Sequence, residues 1–384
     1  MNILILTSTF PADRDDIMQQ PFQMDFIDLL SKNNHDITIL THAKCDVHEK
    51  TREDLDIVWF PWRRVHGRLA EINFTEAGNI VTLLSLIYNG VKYAKKVIDK
   101  KRIDLVICLW VIPSGLYMYL NSLLRMVGVP YVLWALGSDI NKYRHNFLIS
   151  ALLKQIIRRS AHVFADGFEL CSAIHEISGR DCEFLPTFRK IYAGPGPQPI
   201  TSSGCVSFLY VGRHSRVKGI DLLLDAIKLL EKTNPGPDYH VTIVGEGELT
   251  SQMISMATEN NLNNRVIFKG KVPDADLFDL YAQAHCVVIP SRSESIPVVL
   301  SEALQFNKPM IVTDVGDMGM LGRRYGIARV VEKENVGALA DEMRNFIEKP
   351  FQIDPQKRNE LLSLLMMENS MQKIFNVISQ LESK

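Results

Sequence analysis

The sequence predicts an α/β protein of two domains, each a doubly wound parallel sheet, and three observations carry that expectation. At 384 residues the chain exceeds what one hydrophobic core usually serves. Short apolar runs alternate with longer amphipathic segments along most of its length, the pattern of strands joined by crossover helices. Midway, Gly194-Pro195-Gly196-Pro197-Gln198-Pro199 can neither continue a helix nor sit inside a sheet.

Taken in order, the first half offers strands at Ile3–Thr7, Ile37–Thr41, Leu105–Val111, Tyr131–Ala135 and His162–Ala165. The second offers Val206–Val211, His240–Val244, Val266–Lys269, Cys286–Ile289 and Met310–Thr313. Each half therefore has enough strands for its own sheet. The expected boundaries are a first domain over 1–190, a linker over 191–204, a second domain over 205–355 and a terminal segment over 356–384. The last is read as one helix, Glu360 to Leu381, that either caps the second domain or crosses back to the first.

Leu105 to Leu124 carries no charge and has about the length that spans a bilayer. Pro113-Ser114-Gly115 splits it, so a strand–turn–helix unit is expected instead. Met1-Asn2 runs straight into Ile3-Leu4-Ile5-Leu6 with neither a basic n-region nor a small-residue cleavage site, which reads as a buried first strand rather than a signal peptide.

With 43 Lys plus Arg against 44 Asp plus Glu, the net charge of −1 supplies no global basic field, which argues against nucleic acid as a partner. The six cysteines are scattered without a CxxC pair or metal-ligand spacing, a usage that fits a reducing cytoplasm. Basic charge is local. Lys92, Lys95, Lys96, Lys100, Lys101 and Arg102 cluster around Asp99 alone, and Lys142 to Arg159 holds five basic residues and no acid. In the latter, Leu148, Ile149, Leu152, Leu153, Ile156 and Ile157 recur at helical spacing, giving a basic amphipathic helix that packs on a sheet or docks on an anionic membrane face.

Two stretches carry chemistry. Val211-Gly212-Arg213-His214-Ser215-Arg216-Val217-Lys218-Gly219 follows a strand and opens onto the helical run Leu222–Leu230, whose N-terminal N–H groups favour an anion. Arg213 can grip phosphate oxygens in a fork and Lys218 adds a compact charge, so the loop suits a diphosphate. In Pro290-Ser291-Arg292-Ser293-Glu294-Ser295-Ile296-Pro297-Val298 and on to Glu302, one glutamate lies in the loop after a strand and the other about a turn inside the next helix. That spacing can set both along one extended ligand.

Together with Phe268-Lys269-Gly270-Lys271-Val272-Pro273 and Lys308-Pro309-Met310-Ile311-Val312-Thr313-Asp314-Val315-Gly316, these stretches resemble the donor half of retaining GT-B glycosyltransferases of family 4 (glycosyl transferases group 1), in order and spacing across about 206–331. The resemblance implies two Rossmann-like domains facing each other across a cleft and a hexosyl transfer from a UDP- or GDP-sugar to a glycan or lipid-linked acceptor, in cell-surface polysaccharide or glycolipid synthesis. It implies that Arg213 and Lys218 neutralise the diphosphate, that Glu294 grips the donor sugar and Glu302 the ribose, and that backbone near Gly270, Lys271 and Val272 reads the base. Gly212, Ser295, Ile296, Pro297 and Val298 complete the donor-binding set, with no protein nucleophile and no cofactor beyond the donor itself. The first half matches more loosely, through Leu4–Phe10-Pro11 and Leu133-Trp134-Ala135-Leu136-Gly137-Ser138-Asp139-Ile140, which makes Phe10, Gly137 and Asp139 its cleft candidates. Three departures stand out: Gln19-Gln20 where a glycine pair is usual, Leu136 where histidine is frequent, and Pro297 where glycine is common.

Other signals read as structural. Gly245-Glu246-Gly247 lacks the third glycine of a dinucleotide fingerprint and reads as a βα turn. Asp274-Ala275-Asp276 follows Pro273 at a helix start, where N-capping explains it, so no metal site is expected. His145, His162 and His214 are isolated. The alternatives to transfer are another GT-B activity, a phosphorylase or an epimerase, and a noncatalytic nucleotide-sugar-binding scaffold of a polysaccharide assembly complex.

Overall fold

The computed structural model describes residues 1–10, 22–43, 55–63, 77–191, 204–233 and 238–382. Pro11, Gln19-Gln20 and the Gly194–Pro199 stretch of the expected linker lie outside them. The chain forms two compact units, Met1–Pro186 with Met367–Lys384, and Thr187–Met366.

In the first unit the strands are β1 (Asn2–Leu6), β2 (Asp36–His42), β3 (Asp56–Phe60), β4 (Leu105–Leu109), β5 (Tyr131–Ala135), β6 (His162–Ala165) and β7 (Glu183–Phe184). They lie in the order β3-β2-β1-β4-β5-β6-β7, all parallel, joined by α1 (Phe22–Lys32), α2 (Ala77–Lys101), α3 (Leu116–Leu123), α4 (Ser138–Asn141), α5 (Phe147–Arg159) and α6 (Phe168–Ser178). Helices on both faces bury the central strands completely, which is why β4 and β5 read as unbroken apolar runs rather than alternating ones.

The second unit winds the same way. Its strands are β8 (Val206–Val211), β9 (Tyr239–Val244), β10 (Val266–Gly270), β11 (Cys286–Ile289), β12 (Met310–Thr313) and β13 (Ala328–Val331), parallel in the order β10-β9-β8-β11-β12-β13. The helices are α7 (Ile220–Lys232), α8 (Thr250–Glu259), α9 (Asp274–Gln283), α10 (Val298–Gln305), α11 (Met318–Tyr325), α12 (Val336–Glu348) and α13 (Pro355–Leu365). In α7, Ile220, Leu223, Leu224, Ile227 and Leu230 recur at helical spacing and all are buried, which fixes the face it lays on the sheet. Both sheets reverse direction at one place, between β1 and β4 and between β8 and β11, and such switch points are where open parallel sheets bind ligands.

Several expectations need correction. The terminal segment is two helices, because Met366 turns extended (φ −64°, ψ 124°) between α13 and α14 (Met367–Glu382). Helix α13 stays with the second unit, whereas α14 completes the first: Ile374, Val377 and Ile378 cover Leu105, Ile107, Val132, Trp134 and Phe164, and Lys373 Nζ donates to the Phe184 carbonyl at 2.7 Å. Residues 187–190, expected in the first domain, belong to the second, since Arg189 pairs with Glu302 and Ile191 N donates to Gln305 Oε1 at 2.9 Å. The third strand run ends at Leu109 rather than Val111. Trp110 takes φ 68°, ψ 134°, a backbone that non-glycine residues rarely adopt, and leads into a turn rather than a ladder. In α5 the buried face is Leu153, Ile156 and Ile157, while Leu148, expected on that face, is 76% exposed. Among the described residues no helix is long and apolar enough to cross a membrane.

Candidate functional site

The loop after β8 and the loop after β11 meet at the switch point of the second unit, and glycines let them meet closely. Gly219 has φ +68°, and a Cβ there would stand 1.9 Å from the Pro290 carbonyl oxygen. Gly316 has φ +52°, and a Cβ there would fall 2.3 Å from the Glu294 carbonyl oxygen, so the turn after β12 packs on the same loop. Only glycine combines that dihedral with that approach. Tyr210, buried at the end of β8, donates its hydroxyl to the Arg213 carbonyl at 3.1 Å and braces the turn from beneath.

This packing brings Lys218 and Glu294 together: Lys218 Nζ donates to Glu294 Oε1 at 2.5 Å, and Ser291 Oγ donates to the same oxygen at 2.8 Å. The Glu294 side chain is 11% exposed and that of Lys218 35%. Both bonds fall on Oε1, which leaves Oε2 open to a ligand hydroxyl. Beside it the Ser295 hydroxyl is buried with no hydrogen-bond partner among the described residues, a costly state for a polar group unless a ligand meets it. Arg213 stands at the other side of the loop, its Nη2 3.3 Å from Glu248 Oε2. Ile296 and Pro297 are buried, and Pro297 is the N-cap of α10 rather than its first residue.

Glu302 is placed differently from a carboxylate open to solvent. It is 4% exposed, accepting from Arg189 Nη1 at 3.2 Å on one oxygen and from the Tyr281 hydroxyl at 2.7 Å on the other. Arg189 is shared with Asp274 and lies over the Phe278 ring. The carboxylate beside it drives the Tyr281 phenol further up, on top of the upward push from burial. Asp274 does not cap α9, whose N-cap is Pro273 without a side-chain bond; its carboxylate serves Arg189. Each Glu302 oxygen still has a second lone pair, so a further donor can be accepted.

Gly245-Glu246-Gly247 lies in the expected βα turn, between β9 and α8, and packs against the loop after β8. Gly245 has φ +120°, and a Cβ there would stand 2.0 Å from the Gly212 carbonyl oxygen; one on Gly247 would stand 2.4 Å from that of His214. His214 is fully buried, its Nδ1 2.9 Å from Thr250 Oγ1, which itself accepts from Gly247 N at 2.9 Å. Burial lowers the His214 pKa, holding the ring neutral. Gly270, with φ +65°, accepts from Gly245 N at 2.8 Å through its carbonyl, and Lys271 Nζ lies 3.9 Å from Glu246. Gly270, Lys271 and Val272 thus border the same rim. No periodicity marks Gly245, Gly247 and Thr250; the signal was their place after a central strand.

The candidates of the first unit fare otherwise. Phe10 is fully buried, so its side chain serves the core rather than a cleft. Asp139 is also buried: Oδ2 accepts from Val111 N at 2.6 Å and Oδ1 from Leu136 N at 3.3 Å, tying the ends of β4 and β5 together. Burial raises its pKa to about 6 despite those N–H donors. Gly137, at φ 93°, supplies the bend before α4.

Residues 203–361 match the family model "Glycosyl transferases group 1". An uncharacterized glycosyltransferase of Methanocaldococcus jannaschii is 25% identical over 266 residues, 69% of this chain and 71% of that one. Among solved structures, sucrose-phosphate synthase from Thermosynechococcus elongatus superposes with a TM-score of 0.77 at 16% identity, over 100% of this chain and 99% of that one. Anabaena HepE, solved with UDP and glucose, gives 0.70 at 18% identity over 99% of each chain. The fold is GT-B, and the homologues make a role in glycosyl transfer the plain reading.

Proposed function

We propose that this chain is a retaining glycosyltransferase of the family 4 type that moves a hexosyl group from a UDP- or GDP-sugar to a glycan or lipid-linked acceptor, without a metal. One observation carries the reading: a Lys218–Glu294 pair stands in the loops at the switch point of the domain that matches the family, with Arg213 in the same loop as Lys218. A nucleoside diphosphate needs compact cations where its charge accumulates, and a sugar needs a carboxylate for its hydroxyls. UDP and glucose bound to HepE favour the same donor class.

In this reading Arg213 and Lys218 face the diphosphate and stabilise the charge that builds on it as the glycosidic bond breaks. Glu294 Oε2 and the Ser295 hydroxyl hold the donor sugar. Glu302, already fixed by Arg189 and Tyr281, accepts from the ribose, and the rim at Gly270, Lys271 and Val272 meets the base through its backbone. No side chain is asked to act as nucleophile; the protein positions the reactants and preorganises charge. The first unit takes the acceptor. Its α5 presents Phe147, 84% exposed, and Leu148 among Lys142, Arg144, Lys154, Arg158 and Arg159, a composition suited to peripheral docking on an anionic membrane from the cytoplasmic side.

The test is a thermal-shift screen of UDP, GDP and their sugars. A ligand at about 100 times its dissociation constant stabilises by roughly 2.7 kcal/mol. A shift with one nucleoside diphosphate identifies the donor class, and no shift with any of them removes the reading.

A further inference from the structure

We infer that Arg292 is a positioning residue of the candidate site, a clamp that holds the cationic loop after β8 against the acidic loop after β11 and so sets Lys218 on Glu294. The inference rests on the donor-site reading above. Neither the motif that carries Glu294 nor the loop that carries Lys218 needs Arg292 for contact with a ligand, yet its guanidinium binds three other segments. Nη1 and Nη2 fork onto Asp221 Oδ1 and Oδ2 at 2.6 and 2.8 Å; Nη1 also donates to the Arg216 carbonyl at 2.5 Å, and Nε to Glu334 at 2.6 Å. Its backbone N–H donates to the Val217 carbonyl at 2.8 Å.

The bland alternative is a surface ion-pair network, which contributes little. Two facts weigh against it. The Arg292 side chain is only 12% exposed. Its bonds to Arg216 and Val217 flank Lys218 on one side, and Glu294 lies two residues from Arg292 on the other. The acceptors at Asp221, Arg216 and Glu334 surround one planar group, which a guanidinium satisfies with five fixed donors and an ammonium does not.

The experiment is a double-mutant cycle on the full chain, read by titration calorimetry with UDP and GDP well below the melting temperature. In the parent background Lys218→Met should weaken the nucleotide that binds by tenfold or more. Arg292→Met should weaken it comparably, and adding Lys218→Met to Arg292→Met should cost less than a further twofold, because a lysine no longer held in place has little left to lose. Arg292→Lys should recover part of the loss. Additive losses, each tenfold in either background, would show that Arg292 acts independently of Lys218 and overturn the clamp. If the parent binds neither UDP nor GDP, the donor reading fails first and the clamp with it. Should Arg292→Met not fold, Asp221→Asn opens the fork from the opposite side, and the same cycle with Lys218→Met gives the same two outcomes.

Discussion

At the ends of β8 and β11 the loops gather Arg213, Lys218, Arg292 and Glu294, whereas at the ends of β1 and β4 the described side chains are Thr7, Ser8, Phe10, Trp110 and Val111, none of them charged. Asp139, close to these ends, is bonded to backbone N–H groups of Val111 and Leu136. Among the described residues, two sheets wound alike thus carry different side chains at the same topological point. Winding supplies a crevice and converging strand ends; the loops decide its charge. A charged loop pair stays workable because its ions are paired with one another while partly solvated, as Lys218 and Glu294 are, until a ligand exchanges for one of them.

The comparison breaks most decisively at Arg213. If it stabilises the leaving diphosphate, Arg213→Ala should lower kcat by two to three orders of magnitude, about 2.7–4 kcal/mol, and weaken the free nucleotide. Glu294→Ala should impair transfer and relax discrimination between donor epimers while nucleotide affinity stays near the parent's. Single-turnover rates beside titration of the nucleotide read both. Loss of nucleotide binding in Glu294→Ala together with a silent Arg213→Ala would reverse the donor's orientation.

Asp139 sharpens the other side. Its folded carboxyl keeps its proton to about pH 6, while an unfolded one releases it near about 3.9. Between those values the folded chain binds more protons, so this group's contribution is largest below about pH 4 and is lost as pH rises to 6, by up to about 3 kcal/mol. Asp139→Asn should remove that falling limb from a series of denaturation curves across pH 4 to 7. Identical limbs in parent and variant would locate the titration elsewhere.

A smaller effect is expected at Glu302. Hydrogen bonds to a charged group contribute about 1.5–3 kcal/mol, so Glu302→Gln should weaken nucleotide and full donor alike by more than tenfold. Arg189 keeps Asp274, and the variant should fold. Parent-like affinity would leave Glu302 as a buried ion-pair partner and move the ribose to another residue. The smallest effect belongs to Phe147→Ser, which should leave stability within about 0.5 kcal/mol. Parent protein should float with anionic liposomes at low salt and come off at high salt, and the variant should float less; absence of flotation at both salts would remove membrane docking.

The pattern of the sequence revealed the interior strands but, of the four edge strands, only β10. β3, β7 and β13 went unread, and all three lie outermost in their sheets; there only one side pairs, and a run such as Ala328–Val331, half exposed, has no continuous apolar signal. Within the candidate site, the sequence pointed to Arg213, Lys218 and Glu294 because charged residues concentrate in two short loops. Arg292–Asp221 and Arg189–Glu302 were not: their partners stand 71 and 113 residues apart, and a pairing made only by the winding of a sheet leaves no periodic trace. Nor did the repeated apolar spacing of α5 say that Leu148, the second residue of that helix, would face outward.

Helix α14 gives the chain an order of assembly. The ribosome delivers Met1–Pro186 first, but the bed formed by Leu105, Ile107, Val132, Trp134 and Phe164 waits for Ile374, Val377 and Ile378, which emerge only after all of Thr187–Met366. The usual N-terminal-first completion of domains during synthesis is therefore inverted. The second unit can close while its neighbour is still nascent with an uncovered apolar sheet face. A premature stop between Met366 and Ile374 spares the unit it follows and injures the one made first.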